Sequence, residues 1–391
     1  MNRRAGVTTA LRLAVVRDYR AEGWPSMDLC ADQLLARLPS EIAAEDVAPP
    51  FRRMFDRLPF LKRAGFNADR LLNRHVWLPG AVRRAARRAD FVHVVDHSYA
   101  HVVTAVPPGR AGVYCHDLDA FRSVLEPEKE PRPWWFRCLA RRTLDGLKRA
   151  AVVFHNSGET GRQLLAAGLV PAERLVHAPL GVAPEFTPES PPGCTTEFPP
   201  EAGKSMALPV AVARPYLLHV GNNIPRKRLD VLLDVFAAVR ERLPELRLVQ
   251  VGGPWPPHLA GRLDRLKITP FVTQVRGLSR EQLAALYRRA AAVLVTSEAE
   301  GFGLPVIEAL ACGAAVVASD LPPLREAGGA AVNYCPVADL PTWSEVVYRV
   351  LTDPTFPPSR DSRLSHAARF SWAEHVRTVA TTYLRLAGRS P

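Results

Sequence analysis

The run E-G-F-G-L-P-V-I-E at residues 300–308 follows an apolar stretch, A-A-V-L-V-T at 291–296, and leads into A-L-A-C at 309–312. The apolar stretch has the length and branching of a buried strand. Gly301 and Gly303 permit a sharp turn and leave backbone amides uncovered by side chains. Pro305 suits the first position of a helix, where a missing N–H costs nothing. The segment therefore reads as strand, tight loop and helix, with Glu300 on the loop and Glu308 about one turn inside the helix. Free amides and the positive end of the helix dipole face whatever lies above the strand. Carboxylates accept hydrogen bonds from hydroxyls and amides receive phosphate oxygens, which is the pair of demands a sugar diphosphate makes. The plainer reading is one Glu exposed on a turn and another on a helix surface.

The same pattern occurs upstream. Y-L-L-H-V at 216–220 reads as a short strand, followed by G-N-N-I-P-R-K-R at 221–228. Leu229, Leu232, Leu233, Phe236, Val239 and Leu243 then recur at helical spacing. Arg226 and Lys227 stand at or just before a helix N-terminus, where cations oppose the dipole and an anionic ligand would offset that opposition. In parallel α/β sheets ligands bind beyond the carboxyl ends of strands, and both loops leave strands at that edge. A solvated Arg-Lys-Arg turn is the alternative in a chain with 51 Lys and Arg.

These residues carry a resemblance. From about Tyr216 to Asp339 the chain resembles the donor domain of retaining glycosyltransferases of family 4, which have the GT-B fold. The matching runs are G-N-N-I-P-R-K-R-L-D-V-L-L-D-V-F, V-R-G-L-S-R-E-Q-L-A-A-L-Y-R-R-A, E-G-F-G-L-P-V-I-E-A-L-A-C-G-A-A-V-V-A-S-D and P-L-R-E-A-G-G-A-A. Weaker similarity covers C-H-D-L-D-A-F-R at 115–122, R-L-V-H-A-P-L-G-V at 174–182 and R-F-S-W at 369–372.

The resemblance implies transfer of a sugar from a nucleoside diphosphate sugar to a hydroxyl acceptor with retained configuration, in cell-surface polysaccharide or glycoconjugate synthesis. It implies a donor set of Gly221, Asn222, Arg226, Lys227, Arg276, Gly277, Glu300, Gly301, Phe302, Gly303, Leu304 and Glu308. Arg226, Lys227 and the amides of Gly303 and Leu304 would hold the diphosphate, Glu300 the sugar hydroxyls and Glu308 the ribose. His116 matches the histidine of the family's H-D-L pattern and would orient sugar or acceptor, so the catalytic set is His116, Glu300, Arg226 and Lys227. No carboxylate nucleophile stands out, in keeping with the front-face mechanism usually proposed for the family, in which the leaving phosphate takes the acceptor proton. No cofactor and no metal are expected; Asp117 and Asp119 have D-x-D spacing but belong to the H-D-L loop. Two positions depart from the pattern. Asn222 stands where many relatives have Arg, and Arg228 replaces the usual Asn or Gly after the lysine. A non-hydrolysing sugar-nucleotide epimerase of GT-B fold and a non-catalytic nucleotide-sugar-binding protein are the other readings.

Length and composition agree with two domains. The chain has 391 residues, 47% hydrophobic and 23% charged, which suits a globular α/β protein. No stretch has the roughly 20 apolar residues of a membrane span. Arg12 interrupts the apolar run near the N-terminus, which therefore reads as a first strand and not as a signal peptide. Six cysteines show no metal-ligand spacing or close pairing, so a cytoplasmic location is expected. Apolar runs at 11–16, 91–95, 111–115 and 151–154 alternate with helical stretches. Residues 187–215 hold seven prolines and read as linker. The expected architecture is two doubly wound Rossmann-like domains facing across a cleft. The first spans 1–190 on the acceptor side, 191–215 is the linker, and 216–370 is the donor domain. A C-terminal helix, within 371–391, crosses back to the first domain.

In the first domain, loops after strands form the acceptor side: Gly23 after the first strand, Asp96 and His97 after the second apolar run, His116 and Asp117 after the third. Ser98 and Asp117 serve helix capping as readily as binding. The net charge of +12 is concentrated, with eleven Lys and Arg in residues 51–88 against Asp56 and Asp69. Aromatic and aliphatic residues interleave with them, a composition that suits the inner face of an anionic membrane and a lipid-linked acceptor; a solvated helix pair fits equally. Nucleic-acid binding would need a known fold or base-stacking aromatics on a sheet, and neither is present.

Overall fold

A computed structural model of the chain describes residues 10–57, 61–189 and 215–389. Most of the expected linker, with Cys194, Leu58 and Phe60, lies outside these residues. Two units form, one from Met1–Gly181 with Trp372–Pro391 and the other from Val182–Ser371.

The sheet of unit 1 contains β1 (Leu11–Val16), β2 (Ile42–Val47), β3 (Phe91–Val94), β4 (Ala111–Cys115), β5 (Val152–His155) and β6 (Leu175–His177), in the order β2-β1-β3-β4-β5-β6. All neighbours are parallel. The sheet of unit 2 contains β7 (Tyr216–Val220), β8 (Arg247–Val251), β9 (Val272–Val275), β10 (Ala292–Val295), β11 (Val316–Ser319) and β12 (Asn333–Cys335), in the order β12-β11-β10-β7-β8-β9. It too is wholly parallel. Helices connect successive strands in both, as parallel pairing requires. The central strands read as apolar runs because both faces are covered: every residue of β3, β4, β5, β10 and β11 is buried. The four edge strands, β2, β6, β9 and β12, carry no such run. β2 is an edge strand whose four middle residues are exposed, and β6 has three residues.

In each sheet the chain reverses direction of growth beside its first strand, between β1 and β3 and between β7 and β10. Those are the two switch points at which a parallel sheet opens a crevice at its carboxyl edge.

The helix Trp372–Leu386 packs in unit 1. Its Tyr383 hydroxyl lies 2.9 Å from His93 Nδ1 on β3, and its His375 Nδ1 lies 3.2 Å from the Ala178 carbonyl. Gly112 on β4 makes room for it, since a Cβ there would lie 2.1 Å from the Tyr383 hydroxyl oxygen. The basic segment is a helix, Lys62–Leu72, continued by a π-helical turn, Asn73–Trp77, and a second helix, Leu78–Ala86. Buried Asp69 holds the preceding loop to it by accepting from the amides of Met54, Phe55 and Asp56 at 2.9–3.0 Å.

Candidate functional site

The loops after β7 and β10 meet at the switch point of unit 2, because those strands are hydrogen-bonded neighbours with Leu217 opposite Ala292. Backbone and side-chain bonds close the two loops on each other. The Glu298 amide donates to the Arg226 carbonyl at 2.8 Å. Thr296 Oγ1, at the end of β10, donates to the carbonyls of Lys227 at 3.0 Å and Arg228 at 3.2 Å.

Glu300 and Lys227 are brought together here. Lys227 Nζ donates to Glu300 Oε1 at 2.6 Å, and Ser297 Oγ donates to the same oxygen at 2.7 Å. Arg226 stands 4.0 Å from the other oxygen and donates to the Ala299 carbonyl at 3.3 Å. The Glu300 side chain is 7% exposed and that of Lys227 14%. Burial pushes the Glu300 carboxyl up, but Lys227, Arg226 and Ser297 outweigh it and hold the group below the ordinary carboxylate range. Glu300 is therefore an anion with two cations beside it. The sequence reading has Thr296 only as the end of the apolar run and does not include Ser297, although both stand at a strand end where polar residues border a crevice. Buried His219 on β7 is a further member: burial and Lys227 push it down to about 3, keeping it neutral, and its Nδ1 lacks a hydrogen-bond partner.

Helix Leu304–Ala311 begins behind Glu300 with Pro305 at its second position, one later than the sequence implied. Gly303 precedes it with φ 112°, and a Cβ there would lie 2.8 Å from Leu324 Cδ2. Both conformation and space demand glycine, so Gly303→Ala should lower the unfolding free energy by about 1–3 kcal/mol, measurable by urea denaturation; an unchanged midpoint would contradict this account. Phe302 turns inward, its ring edge-on to Phe370 at 5.7 Å. At that position the loop presents backbone rather than a side chain. Glu308 is buried and accepts from the Tyr287 hydroxyl at 3.0 Å. Burial pushes its carboxyl up to about 8, against the opposing pull of Tyr287 and Arg280. Tyr287, on the preceding helix, gave no signal beyond its helical spacing.

The remaining donor-set positions are more dispersed. Gly221 follows β7, and Asn222 beside it is exposed. Arg276 and Gly277 are exposed just past β9, two strands from β7. Arg228 adopts a left-handed conformation, φ 47°, which explains why Asn or Gly suits that position. Its guanidinium is held by Asp230 at 3.0 Å and Glu298 at 3.2 Å, so its charge is already spent within the loop.

In unit 1 the acceptor-side residues cluster beyond β3 and β4. His116 Nε2 lies 2.9 Å from the Val95 carbonyl, and the His116 amide donates to His97 Nδ1 at 3.2 Å. His97 lies between Asp96 at 3.2 Å and Asp117 at 3.5 Å. Burial pushes the His97 imidazole down, but the bond to Asp117 and the charge of Asp96 prevail and raise it. Asp96 caps the 3-10 segment His97–Ala105 by accepting from the Ser98 amide at 2.8 Å; Ser98 is thus the recipient of a cap and not the cap itself. Asp117 accepts from the Asp119 amide at 3.0 Å. Gly23, φ 72°, ends the short 3-10 turn Arg20–Glu22 after β1 and is the member of this set nearest that strand. Among the described residues no group of three or more His, Cys, Asp or Glu side chains is placed to hold a metal ion.

Residues 207–369 match the family model described as glycosyl transferases group 1. A D-inositol 3-phosphate glycosyltransferase of Mycolicibacterium smegmatis is 37% identical over 174 residues, 42% of this chain, and the match spans 39% of that relative's length. Among solved structures, sucrose-phosphate synthase of Thermosynechococcus elongatus superposes with TM-score 0.71 at 18% identity, over 97% of this chain and 99% of that one. HepE of Anabaena in complex with UDP-glucose gives 0.69 at 16% identity, over 96% and 100%. At these identities the likeness shows the fold, which is GT-B.

Proposed function

We propose that this chain, which belongs to the group 1 glycosyl transferases, moves a sugar from a nucleoside diphosphate sugar to a hydroxyl acceptor with retention of configuration. The observation that carries this reading is the Lys227–Glu300 pair, with Arg226, set beside the glycine-started helix at the switch point of unit 2. Each part answers a demand of the reaction. As the bond between sugar and diphosphate breaks, negative charge grows on the leaving phosphate and positive charge on the sugar. Arg226, Lys227 and the amides of Gly303 and Leu304 stabilise the first; Glu300, held ionised, stabilises the second and accepts from sugar hydroxyls. Glu308 takes the two ribose hydroxyls once ionised. The leaving phosphate oxygen accepts the acceptor proton, so the nucleoside diphosphate departs as the new glycosidic bond forms. His116, whose Nε2 is engaged by Val95, serves the acceptor side of unit 1. No metal takes part in this scheme.

The test is transfer of labelled sugar from UDP-, GDP- and ADP-sugars to glycan and lipid-linked acceptors. A labelled product of unchanged anomeric configuration, formed equally with EDTA, is expected. Epimerised free donor, or donor binding without turnover, would overturn the reading.

The acceptor is a glycan or lipid-linked glycan met at an anionic membrane surface. Supporting this, unit 1 exposes Met54, Phe55, Val76 and Trp77 in the basic segment and Trp134, Trp135 and Phe136 at the start of helix Trp134–Arg149. Arg83, Arg84, Arg87 and Arg88 are exposed beside them in sequence. No described helix is long and apolar enough to cross a membrane, so contact would be peripheral. Replacing these four arginines with glutamate should abolish sedimentation with anionic vesicles, each cation contributing about 1 kcal/mol, while donor affinity stays unchanged. Equal sedimentation with neutral and anionic vesicles at low salt would exclude the membrane.

A further inference from the structure

Arg74 stands in the π-helical turn Asn73–Trp77. Such a turn adds a residue to a helix and occurs mostly where function needs it. Val76 and Trp77 are exposed, whereas the Arg74 side chain is 13% exposed and reaches the loop after β1. There its fork meets Glu22, whose side chain is wholly buried: Nε donates to Oε1 at 2.7 Å and Nη2 donates to Oε2. The guanidinium also lies over the Tyr99 ring, 4.1 Å from its centroid. The Tyr99 hydroxyl donates to the same Glu22 oxygen at 2.7 Å and accepts from the Tyr19 amide at 3.3 Å. The Tyr19 hydroxyl in turn donates to the Asn73 carbonyl at 3.2 Å. The short turn Arg20–Glu22, whose N-cap supplies no side-chain bond, is thereby held at both ends.

This clamp joins the two walls of the unit 1 crevice. Tyr19 and Glu22 follow β1, and Tyr99 belongs to the segment His97–Ala105 that follows β3, so they flank the switch point. Ligands of parallel sheets bind at such points. Gly23 comes directly after Glu22, and His97 opens the segment of Tyr99. A buried ion pair is a poor source of stability, since well-packed apolar residues often do as well or better. What a bidentate fork supplies is orientation.

We infer that Arg74 is a positioning residue of the acceptor side: through Glu22 and Tyr99 it fixes the loop after β1 against the segment after β3, and so sets where Gly23 and its neighbours meet the acceptor. It touches no substrate itself. The assignment rests on the proposed acceptor role of unit 1 and adds the residue that orders it.

The test separates order from stability. Arg74→Met leaves a buried carboxylate without its fork, with Arg70 3.7 Å away, and should lower the melting temperature. Adding Glu22→Gln removes both charges and should restore it. Order should not return with it. In the full-length double variant, amide hydrogen exchange of residues 17–24 should stay about tenfold or more faster than in wild type, with exchange in unit 2 unchanged. The KM for octyl α-mannoside or octyl α-glucoside as acceptor should rise about tenfold, while that for UDP-glucose or GDP-mannose stays within about twofold. Arg74→Lys, which keeps the charge without the fork, should show the same split and carries the test if Arg74→Met does not fold. Wild-type exchange at residues 17–24 in the double variant, or an acceptor KM that returns together with the melting temperature, would overturn the assignment. Absence of sugar transfer by wild type would instead overturn the transferase reading, and exchange at residues 17–24 would then decide on Arg74 alone.

Discussion

Lys227→Ala is expected to lower the stability of unit 2 by about 3 kcal/mol and donor affinity by about 1.5–3 kcal/mol, roughly ten- to a hundredfold. The two losses have different causes. Removing Lys227 leaves Glu300 buried without the cation bonded to it at 2.6 Å, and Arg226 at 4.0 Å compensates only partly. Donor binding loses a cation that would face the diphosphate. A double variant separates them: adding Glu300→Gln removes the uncompensated charge and should restore most of the stability, but not the affinity. Glu300→Gln alone should depress turnover more than donor affinity, because its charge is needed mainly as the sugar becomes cationic. Denaturant unfolding and calorimetric titration with a nucleotide sugar measure both quantities. Unchanged affinity in a folded Lys227→Ala protein would remove Lys227 from the donor site.

Glu308→Gln should abolish most of a pH dependence that wild type displays. The Glu308 carboxyl is pushed up by burial to about 8 in the folded protein, against an ordinary 4.5 for a glutamate in water. Between those values the folded state holds a proton that the unfolded state has released. The stabilising contribution is therefore complete below pH 4.5, declines as pH rises, and is gone above about 8. For a fully buried carboxyl the whole change is on the order of 5 kcal/mol. Melting temperature should fall across this window in wild type and fall less in Glu308→Gln, the two converging at the acidic end. Donor binding should run the other way. Ribose hydroxyls prefer the carboxylate, so nucleotide-sugar affinity should rise as pH approaches 8, with proton release on binding. Parallel stability profiles for the two proteins would show that Glu308 is not protonated in the free protein.

Much of the fold was legible because a strand buried on both faces leaves an apolar run. The runs at 11–16, 111–115 and 216–220 became β1, β4 and β7 with those bounds, and the helical spacing after residue 371 became Trp372–Leu386. β2 was not legible, since an edge strand with exposed middle residues follows no apolar pattern. β6 was too short to register. The Arg228 departure was visible as an unusual residue, but its meaning was conformational: a left-handed position occupied by a side chain that two carboxylates hold.

By itself the sequence determined which segments are strand, loop and helix around Lys227 and Glu300, because periodicity, glycine and proline act within a few residues. It also determined that these residue types, cations beside bare amides and carboxylates, suit a sugar diphosphate. Only the tertiary structure decided which of them meet. Lys227 and Glu300 are 73 residues apart and bond because β7 and β10 are neighbours in the sheet order. Glu308 acquires its raised proton affinity from burial, which outweighs the opposing hydrogen bond from Tyr287. Charge and protonation depend on distance and desolvation, which local sequence does not encode; they follow once crossover helices have brought strand ends distant in sequence to one edge.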